Sequence, residues 1–252
     1  MKPQPGFVSY NDQMIIAWIL AGLASGFLVN YLADVLPNTR RLSRPLWWPL
    51  SGKKVTGYLS SPRVIIVLLL SVAAAALVFG APASSFPILA FASILVYFSC
   101  VTVIDIEHRM VLHSVSLAGA LIMGAIGIWR HGLFSTLLGG ASGFAFMLAL
   151  YFLGDWLGRA MARMRGQKWE EVALGFGDVN LAGVIGLLLG WPGVIAALFV
   201  GIFAAGLFSG GYILWMLAGR RYSVFTSIPY APFLCLGAVL AASIGIYFPS
   251  GI

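Results

Sequence analysis

Two aspartates stand where a membrane segment has no casual use for them. Asp178 sits in Leu174-Gly175-Phe176-Gly177-Asp178-Val179-Asn180-Leu181, at the mouth of an apolar stretch, and Asp105 ends an earlier apolar run, Phe86 to Ile104. Inserting an acid at the centre of a membrane helix costs about 2.5–3.5 kcal/mol, so acids in or beside spans usually serve function. Two carboxyls that share one site can hold a single proton between them. One is then free to act as a base while the other donates a hydrogen bond, which is the chemistry of aspartic proteolysis.

The elements that position such a pair follow from composition. The chain is 60% hydrophobic and 9% charged, with a mean hydropathy of +0.96. Apolar runs of about 18 or more residues read as bilayer spans. Eight segments emerge: 14–36, 64–80, 86–104, 111–129, 133–158, 178–190, 193–217 and 228–248. The expected fold is an all-α, polytopic integral membrane protein with about eight transmembrane helices. The first segment is longer than a signal-peptide core, lacks a basic cluster before it and precedes seven more, so it is read as an uncleaved span. Two parts are expected: 1–63, a span plus a short basic loop, and 64–252, the membrane-embedded catalytic part.

The net charge of +7 is a topological signal. Six Lys and Arg lie in loop 37–63, one in 105–110, four in 159–177 and two in 218–227, which leaves only Lys2 and Arg130 for the other side. Positive loops face the cytoplasm, so both termini are expected outside and these four loops inside. Solvated, topology-setting charge accounts for the basic residues better than nucleic-acid binding. Trp47 and Trp48 beside Arg44 suit an interfacial anchor. Cys100 and Cys235 lie singly within apolar segments, as small buried hydrophobes do, and without a CxxC pair no zinc ribbon can form. Glycines such as Gly139, Gly140, Gly143 and those from Gly201 to Gly211 allow close helix packing.

Of the acids near span ends, Asp34 and Asp155 are expected to be satisfied by interfacial water or by Arg40 and Arg159. Asp178 differs, because Gly175 and Gly177 before it permit positive φ and close backbone approach. A helix starting at Asp178 lets its carboxylate cap free N–H groups and favours its ionised form. From Asp178 to Gly190 such a helix is about 20 Å long, short of the roughly 30 Å hydrocarbon core, so Asp178 is recessed behind a non-helical approach. An ordinary Asp cap after a glycine-rich turn fits the same residues, and physics alone leaves both readings open.

Gly175-Phe176-Gly177-Asp178-Val179-Asn180-Leu181 resembles the GxGDxKL box of prepilin peptidases, membrane aspartic proteases that mature type IV pilins and type II secretion pseudopilins. Ile104-Asp105, with His113-Ser114 following, resembles that family's first aspartate motif. Ile228-Pro229-Tyr230-Ala231-Pro232-Phe233-Leu234 resembles its closing element, and Gly26-Phe27-Leu28-Val29-Asn30 its N-terminal one. The resemblance implies that Asp105 and Asp178 are the catalytic pair and that Gly175, Phe176, Gly177 and Asn180 form the active-site loop. It also implies a substrate with a short basic leader and an apolar helix, cut at the junction at the cytoplasmic face of a prokaryotic inner membrane. Prepilins or pseudopilins and the lipid bilayer are the expected partners, with no nucleic acid, no metal and no cofactor.

Three departures stand out. Asn180 replaces the family's Lys, His113 replaces a Pro, and loop 37–63 lacks the two CxxC pairs of bifunctional members, which makes methyltransferase activity doubtful. Glu107, Glu170 and Glu171 are either solvated surface charge or an attraction for the leader. Rival classes are an ion- or proton-coupled transporter, which predicts inverted repeats that are not found, and a catalytically lapsed accessory subunit, kept open by Asn180.

Overall fold

The structure, a computed structural model, describes residues 10–39, 61–80, 87–164, 175–218 and 229–243. Every regular element among them is helical: α1 (Tyr10–Thr39), α2 (Pro62–Gly80), α3 (Ile88–His108), α4 (His113–Met164), α5 (Phe176–Leu189), α6 (Gly193–Ala218) and α7 (Ala231–Ser243). Four stretches, Ile15–Pro37, Ile88–His108, His113–Met164 and Gly193–Leu217, are long and apolar enough to cross a membrane. The expectation of an all-α polytopic membrane protein holds.

One helix needs explaining by length. At 1.5 Å per residue, the 52 residues of α4 would reach about 78 Å, more than twice the hydrocarbon core. Gly132 breaks it, with φ 79° and ψ 165°, a conformation open to a residue without Cβ. Two arms result, 113–131 and 133–164, which match the two segments the sequence separates there. Counted this way, the described residues form eight helical pieces.

The chain divides into two compact units, Met1–Cys100 and Val101–Ile252, with the boundary inside α3. In the first, α1 and α2 meet backbone to backbone. A Cβ on Gly22 would come within 2.9 Å of the Ser71 carbonyl oxygen, and one on Gly26 within 2.9 Å of the Leu68 side chain. Asn30 is fully buried at this contact and donates to the Gly26 carbonyl, one turn back, at 2.9 Å. Asp34 pairs with Arg63 at the start of α2. Arg63 is therefore a cation that meets Asp34, one the sequence reading did not name. Arg40 lies outside the described residues, as do Arg41, Arg44, Trp47, Trp48, Lys53, Lys54, Arg165, Lys168, Glu170, Glu171, Arg220 and Arg221. Pro62 opens α2 at a position where its missing N–H costs nothing.

The second unit is organised round α5. Ten of its fourteen residues are buried, the pattern of a helix enclosed on all sides rather than one with a wet face. Both arms of α4 grip it through glycines. A Cβ on Gly127 would sit 1.9 Å from the Leu187 carbonyl oxygen, one on Gly186 would sit 2.1 Å from that of Gly139, and one on Gly143 would sit 2.5 Å from that of Ala182. Lipid tails are as apolar as Leu, so such helices gain from close van der Waals contact rather than from leaving water. The packing role read into Gly139, Gly140 and Gly143 is what the structure contains. Gly201 likewise meets the α7 backbone at Phe233, but Gly206, Gly210 and Gly211 have nothing within 4 Å among the described residues. At the far end of α5, Gly190 (φ 66°) turns the chain, the Trp191 N–H donates to the Ser135 carbonyl at 3.0 Å, and the Ser135 hydroxyl donates to the Trp191 carbonyl at 3.0 Å.

Candidate active site

The two sequence-singled aspartates come together within the second unit. Asp105 lies on α3 three residues before its end, inside the helix rather than beyond it, and Asp178 lies in the first turn of α5. Both are buried, at 6% and 8% exposure, which in an apolar surrounding demands partners. Their carboxylates are close enough to interact electrostatically. Seventy-three positions of chain separate them, so this proximity is a property of the tertiary fold.

Each carboxylate is seated at a helix start. The Ala231 N–H, first in α7, donates to Asp105 Oδ2 at 3.1 Å. That amide is one of the four at a helix N-terminus with no partner inside the helix, so the bond satisfies a donor and fixes an acid at once. Arg109 adds a positive charge near Asp105. It ends α3 in the left-handed region at φ 52°, an uncommon conformation for a residue with a side chain, and its N–H donates to the Asp105 carbonyl at 2.9 Å.

α5 begins at Phe176 with Gly175 as its cap residue, two positions earlier than the sequence reading placed it. Asp178 is consequently the third helical residue, and its carboxylate turns back to the Gly175 backbone. A side chain at that position that reaches the cap residue performs the acidic half of a capping box. The Asp178 N–H donates to the Gly175 carbonyl at 3.0 Å. The helix-start argument that singled out Asp178 as the ionised partner applies equally to Asp105, so helix ends do not distinguish them.

Of the two uses expected of these glycines, close backbone approach is present at Gly177 and positive φ is absent at Gly175. Gly175 has an ordinary extended backbone, φ −72° and ψ 140°, and needs no positive φ. Gly177 is required by space, because a Cβ there would lie 2.6 Å from the Val111 Cβ and 3.1 Å from its carbonyl oxygen. The chain before α4 thus passes directly against the first turn of α5. Phe176 is half exposed, and its ring meets His113 (6.5 Å), Phe144 (6.4 Å) and Tyr151 (6.0 Å). Asn180, two residues beyond Asp178, faces away from the carboxyls and lines a groove with His113 and Ser116.

Sequence reasoning gave no role to the other groups gathered here. Tyr230, half-buried just before α7, lies within electrostatic reach of Asp178. Cys235, one turn into α7, is within reach of both aspartates and hydrogen-bonds Thr102, one turn before Asp105. The signal available was the closing Pro229–Pro232 element, whose two prolines mark a fixed turn without saying what it touches. Asp155 pairs with Arg159 as expected. Among the described residues, no three His, Cys, Asp or Glu side chains are grouped as a metal ion requires.

Residues 89–210, which include both aspartates, match the model of the type IV leader peptidase family. A prepilin leader peptidase/N-methyltransferase of Bacillus subtilis (strain 168) is 27% identical over 186 residues, covering 71% of this chain and 64% of the relative, so the chain spans just under two-thirds of that protein's length. No solved structure matches it. With its all-α polytopic fold, a matched segment that spans just under half of its residues and the curated relative, the chain is similar to the type IV leader peptidase family.

Proposed function

We propose that this protein is a membrane aspartic endopeptidase that removes the short leader from type IV prepilins or pseudopilins, with Asp105 and Asp178 as the catalytic residues. The observation that carries the reading is the meeting of two buried carboxylates, brought from different helices into electrostatic contact, each held by a backbone group at a helix start.

In this mechanism one carboxylate is ionised and takes a proton from a water molecule. The other is protonated and donates to the scissile carbonyl oxygen. The water oxygen bonds to the carbonyl carbon, giving a tetrahedral diol. That intermediate collapses as the amide nitrogen takes a proton from a carboxyl and leaves as an amine. The two carboxyls exchange protonation states during the cycle, and the pair titrates as one unit rather than as two separate acids. The Ala231 amide holds Asp105, the Gly175 backbone holds Asp178, and the Gly177–Val111 contact fixes the first turn of α5 beneath them. Positional errors of about 1 Å cost about 100-fold in rate, which gives these backbone contacts their importance.

The substrate is a chain with a basic leader followed by an apolar helix, cut at the cytoplasmic face with both termini of the enzyme outside, as the distribution of Lys and Arg supports. Cleavage without methylation of the new N-terminus is part of the reading. The test is co-expression with a candidate prepilin, with the pilin mass read before and after. Loss of the leader at a single junction supports it, and an intact prepilin beside well-inserted enzyme refutes it.

A further inference from the structure

α5 presents two unlike sides. Asp178 faces α3 and α7. Asn180 is two residues on, about 200° round a helix that turns 100° per residue, and faces the arms of α4. On that side lies a groove of about 520 Å³, within the range of sites that seat ligands. Its polar side chains, His113, Ser116 and Asn180, collect at the end nearest the first turn of α5. The Ser116 hydroxyl is taken up by the Leu112 carbonyl at 3.3 Å. Among the described residues, the Asn180 carboxamide has no hydrogen-bond partner. A carboxamide both donates and accepts, as a peptide group does, and an unpartnered one in an apolar wall is a place for an incoming backbone.

From Asn180 the groove continues as apolar wall and floor, through Ala120 and Leu137 to Leu187. The seven residues from 180 to 187 correspond to about 10 Å along α5. Ala141, small and exposed in the wall, lets a backbone approach closely. The groove is continuous with the candidate active site, since His113 and Phe144 both line it and both touch the Phe176 ring, and Phe176 starts the turn that carries Asp178.

We infer that this groove seats the first apolar residues of the substrate that follow the cleavage junction, with Asn180 as the positioning residue that holds their backbone. The inference rests on the peptidase reading above. Its support is the order of chemistry along the groove: a polar end at the level of Asp178, then an apolar track away from it. A segment whose polar junction gives way to an apolar helix has the same order. The scissile bond then passes round the first turn of α5, over Phe176, to reach the carboxyls.

The test uses the full-length chain in membranes. A photoreactive residue replaces Leu137 in an Asp178→Asn background that cannot release product, and a control carries it at Trp215, exposed on α6. The expected result is a crosslink from position 137 to the first residues after the prepilin junction, and none from position 215. Crosslinking to lipid alone, or equal crosslinking at both positions, overturns the inference. The kinetic arm uses Ala141→Phe in the otherwise native enzyme, which fills the groove. KM for prepilin should rise at least tenfold with kcat within twofold. If the native enzyme cleaves prepilin and Ala141→Phe leaves KM unchanged, the groove is not the substrate seat and the aspartic mechanism stands. If the native enzyme cleaves nothing, the peptidase reading falls and this inference with it.

Discussion

Replacing Gly186 with Ala adds one methyl group at the tightest point between α5 and the second arm of α4. Its Cβ would lie 2.1 Å from the Gly139 carbonyl oxygen and 2.6 Å from the carbonyl carbon, and both are backbone atoms with no rotamer to yield. Ordinary contact begins near 3.4 Å, so the two backbones must part by about 1.3 Å. Overpacking of this kind costs about 1–3 kcal/mol. Asp178 rides on the same helix, eight residues or about 12 Å away, and a rigid helix transmits the shift to its first turn. A displacement near 1 Å at a reacting group costs about 100-fold in rate. Gly186→Ala should therefore lower the thermal midpoint of the detergent-solubilised protein and cut kcat for leader cleavage by one to two orders of magnitude. Gly210→Ala is the control, since nothing lies within 4 Å of Gly210 among the described residues, and it should change neither. If Gly186→Ala behaves like Gly210→Ala in both assays, the close contact of α5 with α4 does not position the site.

Three further outcomes follow from the same geometry and charge pattern. Ala231→Pro removes the N–H that Asp105 accepts, at a helix position where Pro is tolerated; with hydrogen bonds to charged groups worth about 1.5–3 kcal/mol, kcat should drop at least tenfold while the amount of inserted protein is unchanged, and full activity would show that this bond is idle. Cysteines introduced at Lys54 and Gln167 should react only from the cytoplasmic side, and external labelling at both would invert the topology. The mature N-terminus made by purified enzyme with S-adenosylmethionine should carry no methyl group, because loop 37–63 has no thiolate tetrad for a zinc and is too short to bury a pocket of that size; a gain of one methyl would overturn this.

The fold was legible because bilayer spans declare themselves by length and apolarity. Even the break in the 52-residue helix was readable, since the polar and glycine residues Arg130, His131 and Gly132 interrupt two apolar runs. The candidate pair was legible because acids are rare in such segments. What surrounds the pair was not. The bond from Ala231 to Asp105 joins residues 126 positions apart, and no local periodicity encodes such a partner. Gly177 reads as a site of close backbone approach, yet nothing local says that Val111 is the residue that approaches it. The start of α5 was misplaced by two residues because Phe176 and Gly177 carry no helical signal of their own, and packing against α4 and Val111 overrides that weak propensity. Arg63 was missed as a partner of Asp34 because the two lie 29 positions apart, on different helices.

The central claim is that two carboxyls in opposite protonation states perform the hydrolysis. Asp105→Asn and Asp178→Asn each preserve size and shape while leaving one carboxyl where the chemistry needs two. Each variant, inserted at native levels and given prepilin in membranes, should yield no leaderless product by mass spectrometry. Normal processing by either one would contradict the account.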